Sequence, residues 1–491
     1  MFLFIFAAEK SSIMHIIGRN NEIAELNAIV RSEVAEFAVV YGRRRVGKTF
    51  LVNEFFENEF VFKVTGLAKK DKNLQLENFA QALTQYGRAP YPVPSTWAEA
   101  FAALRFLLEN APVKGRKVVF IDELPWMDTP RSNLLPALEH FWNDWGCTRP
   151  DLLLIVCGSA TSWITKKLIK NKGGLHNRLT RKIYVRPFSL YETKEYFKYR
   201  KLDISDKDIL ECYMIMGGIP YYLSLLERGK SLAQNVDEMF FRRKGKLDGE
   251  FENLYASLFD KSEQYIKVVT ALSQKNKGLT REEIIKITGL PDGGGLSDIL
   301  ADLDNCDLIR RYRGFGKEER ESLYQLTDFY TFFYFKFIKK HGVSEKPFWM
   351  FQIGTPVHNA WSWYAFEQLC LYHYNQIEKS LGINGIQTKV ASWNAKPDDT
   401  HVPPLKGAQI DLIISRSDHI INICEMKFCD EEFSMTARYR EEISNKMSRF
   451  RSDCKVRYPI HPVLVTTYGL KYNQYSDIFQ KVVVQKDLFA E

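Results

Sequence analysis

The stretch "YGRRRVGKTF" at residues 41–50 decides the fold. Gly42, Gly47, Lys48 and Thr49 fall at the spacing G-x-x-x-x-G-K-[ST], with Arg45 and Val46 inside the loop and Phe50 directly after it. Glycines at both ends let successive backbone N–H groups curl around phosphate oxygens, and the loop delivers them to the positive end of a helix. The flanks suit this reading. "FAVVYG" upstream is a short apolar run of strand type, and "GKTFLVNEFFE" downstream has apolar residues at helical spacing. Lys48 is placed to reach the β- and γ-phosphates of a nucleotide, and Thr49 to ligate its Mg²⁺. Arg45, Val46, Gly47 and Phe50 complete the cradle. The arginines at 43–45 are not demanded by phosphate geometry and read as a solvated basic rim.

Working outward, "RKVVFIDELPW" (116–126) and "DLLLIVCGSAT" (151–161) are further apolar strands. Helical segments lie between them, at 95–110 and 133–145. Buried strands alternating with helices predict a parallel α/β sheet covered on both faces. Asp122 ends the second strand at the edge where such sheets bind ligands. It is expected to hold the Mg²⁺, with Glu123 as the catalytic base that orients the attacking water. Ser159, in "CGSA", ends the third strand and can hydrogen-bond the γ-phosphate or that water.

A chain of 491 residues predicts two to four domains. Hydrophobic residues make up 45% and charged residues 26%, a globular balance, and the net charge of +8 permits a polyanionic partner without requiring one. The eight cysteines form no C-x-x-C pair, which argues against a zinc site or a disulfide framework and for a reducing, cytoplasmic setting. No apolar run approaches the roughly 20 residues of a membrane helix, so no membrane partner is expected. "MFLFIFAAEK" lacks a basic leader and reads as an extension, with Met14 as the natural start.

Beyond "YVRPFSLYE" (184–192) the strands fade into helices, broken at "GGIP" (217–220). Residues 262–330 read as three helices followed by a basic hairpin, the pattern of a winged helix-turn-helix. Its third helix carries Asp298, Asp302, Asp304 and Asp307, which repel phosphate and argue against major-groove reading. The wing, with Arg310, Arg311, Arg313 and Lys317, is able to touch phosphates without reading sequence. "FYTFFYFKFI" (329–338) reads as a core helix joining two domains, and 343–357 as a linker. The expected domains are a P-loop ATPase core at 14–190, a helical lid at 191–258, a winged helix-turn-helix with its following helix at 259–340, and a tail at 356–491.

The order of phosphate loop, acid-ended strand and polar-ended strand resembles the AAA+ and STAND-like P-loop ATPases. "IIGRNNEIAEL", "IDELPWM", "CGSATSWI", "RPFSLYE" and "GGIPYYL" look like the archaeal-type ATPase family over roughly residues 14–330. The resemblance implies ATP and Mg²⁺ as cofactors, and Ile17, Gly18 and Arg19 near the adenine. It also implies Arg178 or Arg181, in "HNRLTRK", as an arginine finger toward a neighbouring subunit of a homo-oligomer.

The tail raises a separate question at "ICEMKF" (423–428). Strand side chains alternate, so Glu425 and Lys427 project to one side of an otherwise apolar strand. Charges there must be paired or bind a metal. Upstream, "AQIDLIIS" places Asp411 on another apolar strand, and the short "RSDH" between them allows a hairpin that brings Asp411 to Glu425. The D…E-x-K spacing resembles the PD-(D/E)XK nuclease fold. The tail looks like the nuclease-like domain of unknown function often appended to archaeal-type ATPases. That resemblance implies Glu367 as the first acid, Mg²⁺ on Glu367, Asp411 and Glu425, and catalysis by Asp411, Glu425 and Lys427. Gln409 stands where that group commonly has an acid, a departure that weakens metal affinity. Lys446 reads as part of a solvated helix face. The leading expectation is an ATP-regulated, Mg²⁺-dependent nuclease acting on DNA. Its rivals are a signalling ATPase with an inactive tail and a DNA-binding regulator working through the winged helix.

Overall fold

A computed structural model describes residues 16–491 except 171–172, 176, 260, 319–320, 343, 345, 399 and 401–404. The expected extension and the start at Met14 lie outside the described residues. The chain divides into two compact units, 1–187 with 256–260 and 188–255 with 261–491.

The first unit begins with α1 (Asn20–Arg31), β1 (Glu36–Tyr41) and α2 (Lys48–Phe55). It continues through β2 (Phe62–Thr65), α3 (Lys72–Gly87), α4 (Trp97–Asn110) and β3 (Lys117–Asp122). It closes with α5 (Leu134–Asp144), β4 (Leu152–Gly158) and β5 (Arg181–Tyr184). The strands form one sheet in the order β2-β3-β4-β1-β5, with every pairing parallel. β3 and β4 are buried along their whole length, so both read as unbroken apolar runs rather than alternating ones. α3, α4 and α5 lay Phe79, Trp97, Phe101 and Phe141 into one core with the sheet residues Phe37, Phe62, Ile121 and Leu154. Asp71 and Thr96 cap α3 and α4 through hydrogen bonds to Leu74 and Glu99 backbone N–H groups.

The second unit starts with α6 (Leu190–Tyr199) and α7 (Asp206–Met216). After shorter helices at 220–258 come α8 (Ser262–Leu272), α9 (Arg281–Thr288) and α10 (Gly294–Asn305). The antiparallel hairpin of β6 (Ile309–Tyr312) and β7 (Leu323–Leu326) comes next. The third helix ends at Asn305, which leaves Asp307 beyond it, because Ile309 already belongs to the hairpin. Phe329, Tyr330, Phe333 and Phe337 are buried, as expected of a core helix.

The segment 343–357 is not a linker. Trp349 is fully buried against the rings of Phe333, Phe337 and Trp361. The carboxylate of Asp237 accepts hydrogen bonds from the backbone N–H groups of Phe348, Trp349 and Met350 at 2.6–3.1 Å.

The C-terminal part opens with α11 (Pro356–Tyr372). Its sheet contains β8 (Thr388–Ala395), β9 (Ala408–Arg416) and β10 (Ile421–Lys427). A two-stranded ribbon pairs β11 (Phe433–Ser434) with β13 (Leu470–Lys471). α12 (Ala437–Asp453), β12 (Ile460–Thr466) and β14 (Lys481–Val484) complete the sheet layer. The sheet order is β14-β12-β10-β9-β8. β10 runs parallel to β12 and antiparallel to β9. Phe450 of α12 packs with Trp393, Ile413 and Ile423, so α12 covers one face.

Candidate functional site

The nucleotide loop is built by β1, the turn at 42–47 and α2. Gly42 has φ +147°, and a Cβ there would stand 2.2 Å from the Val185 carbonyl oxygen, so only glycine fits. Gly47 has φ +90° and nothing within 4 Å of where a Cβ would be, so the loop turns left-handed beside open space. α2 has no side-chain cap at its N-terminus, the helix end that favours an anion. The Lys48 ammonium, buried, is folded onto the loop's own carbonyls, Gly42 at 3.0 Å and Arg43 at 2.8 Å.

Thr49 and Asp122 meet as the sequence predicts. The Thr49 hydroxyl donates to Asp122 Oδ2 at 2.9 Å. Burial first, then the adjacent Glu123 carboxylate, push the Asp122 carboxyl above its usual range. A magnesium–triphosphate would restore its charge, and the hydroxyl–carboxylate pair is the hard-oxygen donor set that ion takes.

Ser159 and Glu123 are also partners. β4 lies between β1 and β3, which sets the end of β4 beside the acid couplet. The Ser159 hydroxyl donates to Glu123 Oε1 at 2.6 Å, and the Ser159 N–H donates to Oε2 at 3.1 Å. Glu123 itself is left-handed, φ 48°, and turns its side chain across to β4.

Several expectations about this loop change. Arg43 is 3% exposed and Arg44 and Arg45 are half-buried, so the three are not a solvated rim. The Arg19 guanidinium donates to the carbonyls of Val46 at 2.8 Å and Arg186 at 2.6 Å. It braces the loop. Ile17 and Gly18 lie half-buried just before it, and Phe50 is 51% exposed. Arg178 is exposed, whereas Arg181 stands 3.6 Å from Glu25.

In the second unit, β9 and β10 pair as the hairpin predicted, with Cys424 opposite Leu412, so Asp411 and Glu425 are the next residues along the two strands. The Glu425 carboxylate accepts from the Tyr439 hydroxyl at 2.5 Å and the Lys446 ammonium at 2.7 Å, and Lys427 stands 3.3 Å away. Burial alone would raise the Glu425 carboxyl, but Lys446 and Lys427 with Tyr439 hold it below its usual range. Asp411 accepts from the Gln409 amide. Glu367, from α11, joins the same electrostatic group: burial, then Asp411 and Glu425, push its carboxyl up to about 8.

Glu367, Asp411, Glu425 and Lys427 therefore come together, but not as a ligand shell. Among the described residues no three His, Cys, Asp or Glu side chains stand as a metal-holding group. The physical reason is that Glu425 is already neutralised by two lysines and a tyrosine. The residues as they stand do not fit a resident Mg²⁺. Lys446, expected on a solvated face, is one of the groups that close it. Tyr439 was missed, and no local signal marks it: it reaches Glu425 only because α12 crosses that face.

The basic hairpin is not a free wing. Arg310 donates to Gln325 Oε1 at 2.5 and 2.8 Å and to Gln368 Oε1 of α11 at 3.0 Å. At the hairpin tip Phe315 N–H donates to the Ser392 carbonyl at 2.7 Å, and its ring packs on Phe450. In the third helix, Asp302 is buried and accepts from the Tyr265 hydroxyl at 2.9 Å, a structural use of one of the four aspartates.

Residues 16–226 match the family described as an ATPase domain predominantly from Archaea. An uncharacterized protein of Methanocaldococcus jannaschii is 24% identical over 420 residues, 84% of this chain and 88% of that one. Among solved structures, the Walker-type ATPase of Pyrococcus abyssi is 18% identical, covering 65% of this chain and 95% of its own, with a TM-score of 0.47. The Aeropyrum pernix ORC2 protein, solved as ADPNP–ADP complexes, is 14% identical over 63% of this chain and 90% of its own, with a TM-score of 0.40. The family match and the loop geometry agree that the first unit carries a P-loop ATPase domain. No helix among the described residues is long and apolar enough to cross a membrane.

Proposed function

We propose that this protein uses ATP at the loop of residues 42–50 to control how its C-terminal acid–lysine cluster engages the phosphodiester backbone of DNA. The observation that carries the ATP half is the Thr49–Asp122 hydrogen bond of 2.9 Å beside a buried Lys48. Lys48 exchanges two loop carbonyls for the β- and γ-phosphates, while the uncapped N–H groups of α2 hold the remaining oxygens. Mg²⁺, held by Thr49 and Asp122, would neutralise charge between the β- and γ-phosphates. Ser159 grips Glu123 until a γ-phosphate competes for its hydroxyl. Glu123 then turns to the water and takes its proton. Arg178, exposed, is the arginine free to reach a second copy in a homo-oligomer.

The DNA half rests on the convergence of Asp411, Glu425 and Lys427 with Glu367. A mixed cluster with two lysines on one carboxylate binds and orients a phosphodiester. The spacing Asp411…Glu425-x-Lys427 favours cleavage as the second reading, with Lys427 stabilising charge that develops on the phosphate. We read 259–340 as a winged helix-turn-helix used as a docking module, and 356–491 as a nuclease-like domain.

Two experiments test this. Calorimetry with ATP and Mg²⁺, followed by a phosphate-release assay, should show uptake and turnover by the full chain. Absence of uptake would refute the ATP half. Plasmid incubated with Mg²⁺ or Mn²⁺, with and without ATP, should be bound. Cutting that disappears in Glu425→Ala or Lys427→Ala supports cleavage, whereas binding with intact plasmid under every condition leaves a phosphate-binding module only.

A further inference from the structure

The turn between α8 and α9 is held more firmly than its exposure suggests. The Asn276 carbonyl accepts from Gln325 Nε2 at 2.6 Å and from the Tyr364 hydroxyl at 2.9 Å. The Lys277 carbonyl accepts from the Tyr312 hydroxyl at 2.5 Å. Two residues on, Leu279 and Tyr324 exchange backbone hydrogen bonds at 2.8 and 2.9 Å. Donors from the hairpin and from α11 thus fix a backbone that most turns leave to water. The Lys277 side chain, by contrast, is exposed and has no hydrogen-bond or ion-pair partner among the described residues. Its ammonium lies within the electrostatic reach of Asp411, as that of Lys446 does.

The same face of α11 carries Tyr364, Glu367 and Gln368, at the spacing that puts all three on one side of a helix. Tyr364 and Gln368 bond the helical module, and Glu367 looks into the cluster. Arg310, forked between Gln325 and Gln368, holds that register and lends charge to Asp411. Four cations, Lys277, Arg310, Lys427 and Lys446, therefore surround three carboxyls. Two of the four, Lys277 and Arg310, come from ahead of α11.

We propose that Lys277, presented by this braced turn, is a phosphate-binding residue of the C-terminal cluster, so that the site is composite and takes a nucleic-acid backbone between the three-helix module and the sheet. The inference rests on the reading that the cluster engages DNA. It adds that the helical module acts through a turn lysine rather than through its third helix or its hairpin arginines.

The test is fluorescence anisotropy of a labelled DNA duplex with the full chain in EDTA, over a series of salt concentrations. Lys277→Glu should weaken binding about tenfold or more and lower the salt slope by about one, the signature of one lost phosphate contact. Lys277→Arg should bind like the wild type. Arg313→Glu makes the same charge change on the exposed hairpin and should leave affinity within about twofold of wild type. If Lys277→Glu binds like the wild type while Lys427→Ala weakens, the composite site is refuted and the DNA reading of the tail stands. If Arg313→Glu weakens binding as much as Lys277→Glu, the effect is diffuse charge and the inference fails. A wild-type chain that binds no duplex overturns both.

Discussion

Lowering the pH should destabilise the second unit through one imidazole, that of His373. The ring is 2% exposed, with Nδ1 placed to donate to the Leu369 carbonyl at 3.0 Å and Nε2 to accept from the Leu190 N–H at 3.1 Å. Both bonds suit the neutral tautomer. A second proton would bring an N–H against the Leu190 N–H, with the rings of Tyr213 and Tyr372 around it and no carboxylate among these contacts to pay for the charge. Burial, offset only in part by the Leu369 carbonyl, pulls the ring from 6.5 to about 4. The folded value is depressed, so the unfolded chain takes the proton first as acid is added. The stabilisation is complete above pH 6.5 and is lost as pH falls toward 4. The window spans a little over two pH units, which corresponds to about 3 kcal/mol in all. Glu367, raised to about 8, has the opposite slope: its contribution declines as pH rises from 4.5 through 8. Comparing wild type with His373→Gln at each pH cancels that background. Urea midpoints read by tryptophan fluorescence should lie apart at pH 7 and converge by about 2 kcal/mol toward pH 4.5. A ¹⁵N titration that protonates His373 above pH 6, or midpoints that run in parallel, would refute the reasoning.

Lys48→Ala should abolish ATP uptake measured by calorimetry while the chain stays folded by circular dichroism, since the ammonium bonds the loop carbonyls of Gly42 and Arg43 rather than the sheet's apolar core. Glu123→Gln should retain nucleotide and lose turnover by about a hundredfold or more in a phosphate-release assay. Gly42→Ala should cost at least about 2 kcal/mol in thermal unfolding of the ATPase unit, because its Cβ meets the Val185 carbonyl. Phe315→Ala should lower the urea midpoint of the second unit by the equivalent of about 2–3 kcal/mol, given its packing on Phe450 and Trp393.

What the sequence revealed depended on how local the physics was. The phosphate loop was legible because Gly42, Gly47, Lys48 and Thr49 act within one turn and their flanks have plain periodicity. The acid couplet at 122–123 and the pairing of Asp411 with Glu425 were legible for the same reason, each lying on one strand or one tight hairpin. Strand order was not. Only the placement of β4 between β1 and β3 makes Ser159 the partner of Glu123. Trp349 looked like linker because its pocket is made by Asp237, Phe333 and Trp361, all distant in sequence. Arg43 looked solvated because basic runs usually are, and burial by neighbours overrides that habit. β8 and β14 escaped notice, the first because "TKVASWNA" is largely polar and irregular near Ala391, the second because it is four residues long. The carboxyls were foreseen as a metal set, and Lys446 and Tyr439, arriving on α12, turned them into a neutralised cluster.

The seam at Gly314–Phe315, where the hairpin tip bridges Ser392 and lends its ring to the core of the C-terminal sheet, bears on inheritance. Recombination at about residue 356 would strip that sheet of part of its own interior and strand an aromatic ring in water. A breakpoint ahead of Phe188, where the second unit begins, would carry both pieces intact and keep Leu190 with His373 and Asp237 with the backbone of 348–350. The two should therefore travel between genes as one cassette, and grafts onto other ATPases should succeed only with the earlier junction.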